Sequence, residues 1–335
     1  MIQCKIYYSP YALRELWNAM YINGNYTPFQ SWISNWWYFL TYGLKGSRRK
    51  FTPYILVFTS TENVCIMPVA VDRRRKKVVD FSVGGPVDYY DVLCSTQDKA
   101  FLKGCIAKLK TLYEGYEIVL SNINEASRLY SVLSQFEIIE TEPCVKIDFS
   151  SSEYEIYYQS LSKHQRQNIR TGYNKLQKEG LIWRLERYDT NRPMLTKDWN
   201  QCLCMYEERC RMKNKSGSGF KQRIVDWINR HINLVNILIR RWDRVASFVM
   251  YLNDIPVAFM SGMYNESHDT FYVPRLSCSN QYLRYDTGIL MLNESIKILL
   301  TEGIRTIDLT RGDEMYKFAM MGGKHMNHTI RVRDL

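Results

Sequence analysis

The chain has 335 residues with 46% hydrophobic, 14% aromatic and 24% charged side chains, a balance that excludes a disordered or fibrous protein and predicts two domains of roughly 150 residues each. Lys plus Arg, 45, exceed Asp plus Glu, 34, for a net charge of +11; the excess suits phosphate-bearing partners without choosing among nucleotide, cofactor, tRNA and membrane surface. No run reaches the roughly 18 apolar residues of a membrane span, the opening MIQCKIYYSPYALRELW lacks the order of a secretory signal, and nine Cys without a repeated CxxC read as free thiols, so a cytoplasmic protein is expected.

In chain order, Tyr11–Tyr21 and Phe29–Tyr42 carry apolar residues at helical spacing. Strand-like runs follow at Tyr54–Thr59, Val64–Val71 and Val78–Val83, joined by turn-rich segments as antiparallel neighbours. The second joint is Asp72–Lys77, whose Arg73–Lys77 cations read as a solvated hairpin tip. Gly84, Gly85 and Pro86 end that run, and a helix over Lys99–Tyr113 leads into a strand at Glu117–Leu120. A strand at Glu137–Asp148 closes the first half. Ser150–Ser152 offer a helix cap, and the boundary is placed there, giving domains 1–150 and 151–335.

The second half opens with a helical stretch over Glu153–Glu179, ended by Gly180, then a strand at Leu181–Tyr188 and helices near Lys197–Lys213 and Phe220–His231. The Ser/Gly-rich Lys213–Gly219 between those helices reads as a linker. Strands are predicted at Asn236–Trp242, Ala246–Leu252, Pro256–Tyr264 and Thr270–Arg275, then a helix over Thr287–Thr301 and a strand at Thr306–Thr310. Asn253 and Asp254 mark a tight hairpin, and Gly303 a helix C-cap.

Three places carry candidate chemistry. The helix starting near Asp286–Gly288 presents unpaired amides and a partial positive charge, and Arg284 adds a fixed cation, so the spot suits a pyrophosphate; a plain helix capped by Asp286 is the competing explanation. Arg311–Lys317 puts polar groups at the carboxyl end of a strand, where α/β proteins tend to face a ligand, a solvated turn with surface ion pairs being the competing explanation. Asp313 and Glu314 are the candidate bases for an amine nucleophile, and Arg311 and Lys317 the cations for a phosphate or a developing oxyanion. Lys163, Arg166 and Arg170 follow i, i+3, i+7 spacing on one helix face beside His164, a seat for a diphosphate or a wet surface. His325 and His328 lack a third ligand, and Cys202, Cys204 and Cys210 diverge around a helix, so no metal site is expected.

IPVAFMSGMYNESHDTFYVPRLS and YLRYDTGILMLNESIKILLTEGIRTIDLTRGDEMYK resemble the C-terminal half of the CelD-like and FemAB-like acyltransferases of the GNAT superfamily. PFQSWISNWW, IMPVAV leading to FSVGGPVDYYDVL, and SLSKHQRQNIRTGYNKLQKEG resemble further motifs of that family. The resemblance implies an α/β protein of α+β type, built as two tandem GNAT-like lobes, each a mixed, mainly antiparallel sheet flanked by helices. It implies a donor, acetyl-CoA or another acyl-CoA or acyl carrier protein, between splayed strands taken as Pro256–Tyr264 and Thr270–Leu276. Met260, Ser261, Gly262 and Arg275 would line that gap, with Arg284, Tyr285, Asp286, Thr287 and Gly288 against the pyrophosphate. The usual Q/R-x-x-G-x-G/A loop is reduced here to Gly288.

The acceptor implied is an amino sugar, nucleotide-linked, used in surface polysaccharide synthesis, with Gly84, Gly85, Asp88 and Tyr89 lining an acceptor cleft between the lobes and Arg311 and the basic helix holding phosphate. The reaction expected is N-acylation by direct attack of the amine, with Asp313, Glu314 and Lys317 as catalytic groups. A FemAB-like aminoacyl transferase using charged tRNA is the alternative, which the absence of sustained heptads in Glu153–Glu179 weighs against. A non-catalytic polyanion-binding module is the other.

Overall fold

The computed structural model describes residues 2–41, 51–81, 87–214 and 242–333. Its contacts group the chain into two compact units, Met1–Cys144 with His325–Leu335, and Val145–Lys324. The division falls a few residues before the expected 150/151. Residues 325–335, expected with the second domain, instead belong to the first unit, because a final strand that the sequence reading did not include pairs there from Asn327 to Val332. The predicted helix Phe220–His231 and most of the strand Asn236–Trp242 lie outside the described residues.

The first unit is a mainly antiparallel sheet. β1 (Gln3–Tyr7), β2 (Thr52–Thr59), β3 (Val64–Asp72) and β4 (Lys77–Asp80) follow one another in space, then β6 (Glu117–Asn124) and β13 (Gly323–Val332). The β4–β6 pair is parallel, and the short β5 (Leu93–Cys94) pairs with β3. α1 (Arg14–Ile22) and α2 (Trp32–Thr41) occupy the first two predicted helical stretches. α3 (Lys99–Leu112) starts where the Asp98 carboxylate accepts from the Ala100 amide at 2.8 Å, and it buries Phe101, Leu102, Cys105, Ile106 and Leu109 against the sheet. α4 (Tyr130–Leu133) closes one end of the same core.

β7 (Glu137–Asp148) carries the chain into the second unit. The expected single helix over Glu153–Glu179 is two, α5 (Tyr154–Ser160) and α6 (Lys163–Lys178). The break has a local cause: Leu161 and Ser162 are extended, and the Ser162 hydroxyl accepts from the Gln165 amide at 3.1 Å to start a new helix. Then come β8 (Trp183–Tyr188), α7 (Thr196–Asn214), β9 (Val245–Leu252), β10 (Ile255–Tyr264), β11 (Thr270–Cys278), α8 (Thr287–Thr301), β12 (Thr306–Arg311) and α9 (Met315–Ala319). In space the order is β8-β9-β10-β11-β12 followed by the end of β7. The first three pairings are antiparallel, and β11–β12 is parallel.

Nearly every residue of β9 and β10 is buried, which is why they read as continuous apolar runs rather than alternating ones. α8 buries Leu290, Met291, Leu292, Ile296, Leu299 and Leu300 in the same core, each contributing about 2 kcal/mol of transfer free energy. Two glycines let backbone come close. A Cβ on Gly262 would lie 2.3 Å from the Tyr272 carbonyl, where the β10–β11 register shifts, and one on Gly172 of α6 would lie 3.0 Å from the Tyr285 carbonyl just before α8.

Candidate functional site

Parallel strands stay together only while their ladder lasts. β11 and β12 pair at Thr270, Phe271 and Tyr272 with Thr306, Ile307 and Asp308, and no further register follows. Just beyond, Thr310 turns into the left-handed region at φ 52°, its amide donates to Asp308 Oδ1 at 2.8 Å, and its hydroxyl to the Val273 carbonyl at 3.2 Å. On the other strand Pro274 has no amide to offer. The strands that diverge are therefore β11 and β12. β10 and β11, expected as the splayed pair, remain in register from Ala258–Cys278 through Ser261–Arg275 and again at Met263–Tyr272.

The gap opens into a cavity of about 340 Å³ lined by Arg209, Leu276, Cys278, Leu283, Asp286, Thr287, Gly288, Ile289, Glu314 and Tyr316. One wall is the start of α8. A 3-10 turn over Asn280–Tyr285 delivers the chain to Asp286, which sits left-handed at φ 55° and makes no side-chain cap. Ordinary capping, the competing explanation at the sequence level, is thus not what the carboxylate does. The Thr287 hydroxyl is buried, its residue 1% exposed, and has no hydrogen-bond partner among the described residues. Such a group costs free energy until something bonds to it. A Cβ built on Gly288 would approach Cys278 Sγ at 3.4 Å, ordinary contact, so the wall at 288 is flush rather than jammed.

The opposite wall is held by Arg209 of α7. Its guanidinium donates to the Leu276 carbonyl and, at 2.7 Å, to Glu314 Oε1. It thereby occupies a carbonyl of β11 that a longer β12 would have bonded. Because Ser279 N donates to the Val257 carbonyl at 2.8 Å, the odd residues at this end of β11 point their backbone toward β10 and the even ones away from it. The Leu276 amide, on the same edge as its carbonyl, faces the gap. Burial holds the Tyr316 phenol well above its ordinary range, partly offset by Arg209, so it is protonated. Burial also pushes the Cys278 thiol up, Arg209 again opposing.

The other expected residues are placed as follows. Asp286, Thr287, Gly288 and Glu314 line the cavity. Met260, Ser261 and Gly262 do not: they are buried inside the β10 ladder, where the Ser261 hydroxyl bonds that of Ser247 at 2.6 Å. Arg275, 6% exposed, lies 4.8 Å over the Tyr206 ring and is absent from the cavity wall. Arg284 is exposed, stacks on Tyr285 and pairs with Glu179 at 2.8 Å, while Lys175 donates to its carbonyl; the two residues fasten the loop to α6 rather than line the cavity.

Lys317 is corrected from catalytic group to clamp. It is 3% exposed, and its ammonium donates to the carbonyls of Leu309, Arg311 and Gly312 at 2.8 to 3.0 Å and pairs with Glu314 at 3.1 Å. The loop curls around this charge, which requires Gly312 at φ 98°. Asp313 is exposed and outside the cavity wall, and Arg311 is half-buried. Of the three-cation face on α6, Lys163 and Arg170 are exposed, but Arg166 donates to the Gln159 and Leu161 carbonyls and caps the end of α5.

In the first unit Gly84 and Gly85 lie outside the described residues. Asp88 and Tyr89 are buried; their carbonyls accept from Asn327 and Gln30, and the Tyr89 hydroxyl lies 3.5 Å from His325. Among the described residues no cluster of three His, Cys, Asp or Glu is arranged for a metal, and no helix is long and apolar enough to cross a membrane.

Arg209 and Cys278 were not anticipated, and Leu276 and Tyr316 only as members of the segments Thr270–Leu276 and Arg311–Lys317. Pro274 inside a strand was the available signal, since a residue without an amide marks the edge where a ladder stops.

Residues 163–318 match the family model described as acetyltransferase (GNAT) domain. Among solved structures the chain is similar to the C-terminal domain of a putative lysylphosphatidylglycerol synthetase from Agrobacterium fabrum, with TM-score 0.60, 10% identity, and 96% of this chain and 92% of that one covered. It is also similar to FemX, with TM-score 0.60, 9% identity, and coverage of 95% and 96%. A tandem GNAT protein from the clavulanic acid biosynthesis pathway matches over the whole of both chains with TM-score 0.55 and 7% identity. A comparison with curated proteins found no match.

Proposed function

We propose, from the match of residues 163–318 to the acetyltransferase (GNAT) family model and from the fold shared with a tandem GNAT protein, that the second unit binds an acyl thioester of coenzyme A at the start of α8 and transfers the acyl group, acetyl in the simplest case, to a primary amine. The observation that carries the reading is the uncapped start of α8 with the unpartnered Thr287 hydroxyl, opening on the gap between β11 and β12. A helix of 15 residues presents its first amides and its positive end to an anion there. The thioester supplies an activated acyl group.

This chain's residues then have distinct roles. Amides of Thr287, Gly288 and Ile289, with the Thr287 hydroxyl, hold the diphosphate. The Leu276 amide, on the open edge of β11, donates to the thioester carbonyl and to the negative charge that develops on it. The Tyr316 phenol gives its proton to the departing thiolate. Glu314 lines the cavity, but its oxygens are engaged by Arg209 and Lys317; it fixes that wall, and the amine loses its proton to solvent.

For the acceptor we assign an amino sugar, nucleotide-linked, with Lys163 and Arg170 as the exposed cations available for its phosphates. The experiment is a thermal-shift panel of coenzyme A, acetyl-CoA, aminoacylated tRNA and UDP-linked amino sugars, followed by thiol release on mixing donor with acceptor. A shift with coenzyme A and thiol release dependent on an amino sugar support the assignment. A response to aminoacylated tRNA with none to coenzyme A would move the chain to the FemAB-like alternative, and binding of all polyanions without turnover would make it a binding module.

A further inference from the structure

The cavity wall carries a nucleophile that the transfer reaction does not use. Cys278, the last residue of β11, is half-buried and faces the first turn of α8; a Cβ on Gly288 would stand 3.4 Å from its sulfur. On the same wall the buried hydroxyl of Thr287, a residue 1% exposed, has no described partner, an independent mark of a place built for a polar ligand. Arg209, whose guanidinium lies in the same wall, brings a positive charge toward the thiol and opposes the effect of burial on it.

We propose that Cys278 is a site of reversible thiol–disulfide modification by the donor's own carrier, a pantetheine-type disulfide such as coenzyme A disulfide, and that the mixed disulfide shuts the donor cavity. The inference rests on the donor reading above, because selectivity comes from the diphosphate being held at α8. The Cys278 thiolate attacks one sulfur of the incoming disulfide; that S–S bond breaks, a Cys278–S–S–carrier bond forms, and the other half leaves as a thiolate that takes up the proton Cys278 gave. The oxidant is the incoming disulfide. The tethered carrier then fills the space an acyl donor needs, and any small thiol restores the free cysteine by the reverse exchange. Burial slows reaction with disulfides that have no binding site here, and local concentration at the cavity offsets that slowness for one that does.

The test incubates the full chain with coenzyme A disulfide or with oxidised glutathione and follows intact mass and peptide mapping. Cys278 is expected to be labelled at least about tenfold faster by coenzyme A disulfide, with the adduct reversed by dithiothreitol and slowed by excess reduced coenzyme A. Cys278→Ala should lose the adduct, and Cys204→Ser, which removes an exposed thiol, should keep it. Equal rates with the two disulfides, or an adduct that maps to Cys204, would overturn the proposal. Thermal shift of the wild-type chain with reduced coenzyme A reads the donor assignment separately: a shift without selective labelling sinks only the Cys278 inference, and neither shift nor selective labelling sinks both.

Discussion

At the scale of single residues, donor binding and thiol release turn on two side chains of the cavity wall. Thr287 keeps a hydroxyl without a described partner in a buried place, so Thr287→Val should leave folding intact and weaken coenzyme A binding about tenfold, the size of one lost hydrogen bond; calorimetric titration reads the affinity and circular dichroism the fold. Unchanged affinity would remove the hydroxyl from the site. Tyr316 makes a kinetic prediction. If its phenol protonates the leaving thiolate, Tyr316→Phe lowers kcat by about 10 to 100-fold with little change in KM, whereas a loss confined to KM would make the ring a binding surface. Lys317 shows how a residue with chemistry suited to catalysis can serve the backbone instead, since the strand end needs several carbonyls gathered and a buried ammonium does that.

At the scale of elements, much of the fold was legible. The β9–β10 hairpin was visible from its apolar runs and from Asn253 and Asp254, both of which adopt positive φ in the turn. Helix α8 was placed with its observed bounds, since its apolar period is long and its ends are marked by a polar loop and by Gly303. The gap was misplaced by one strand because strand patterns show which residues are buried, not which edges stay unpaired; the ladder between β10 and β11 is a tertiary outcome. The helix break at Ser162 was missed because the apolar period runs on across it. The glycine at the β10 bend gives an element-level prediction. Gly262→Ala would set a Cβ 2.3 Å from the Tyr272 carbonyl and 2.5 Å from the Phe271 ring, so denaturant unfolding should report a loss of about 3 kcal/mol. A loss below about 0.5 kcal/mol would mean that β10 and β11 are not held that close.

At the scale of the molecule, the return of β13 to the first unit could not be read from order along the chain, because a strand's partner is fixed only when the sheet forms. The first unit also carries a titratable group whose effect reaches global stability. Burial raises the Asp91 carboxyl to about 6, even though it accepts from the amides of Val92, Arg128 and Leu129. A raised carboxyl favours folding while protonated, so this contribution is fully present below about pH 4 and is lost as pH rises through about 6. Asp91→Asn should therefore gain about 2 kcal/mol relative to wild type as pH rises from about 4 to 7, read by urea unfolding at each pH; parallel stability curves would contradict the assignment.

The most direct measurement is a crystal structure of the chain with coenzyme A. The diphosphate is expected within hydrogen-bond distance of the Thr287, Gly288 and Ile289 amides, and the pantetheine arm between β11 and β12. Coenzyme A held elsewhere, with the start of α8 closed by protein, would contradict the donor assignment.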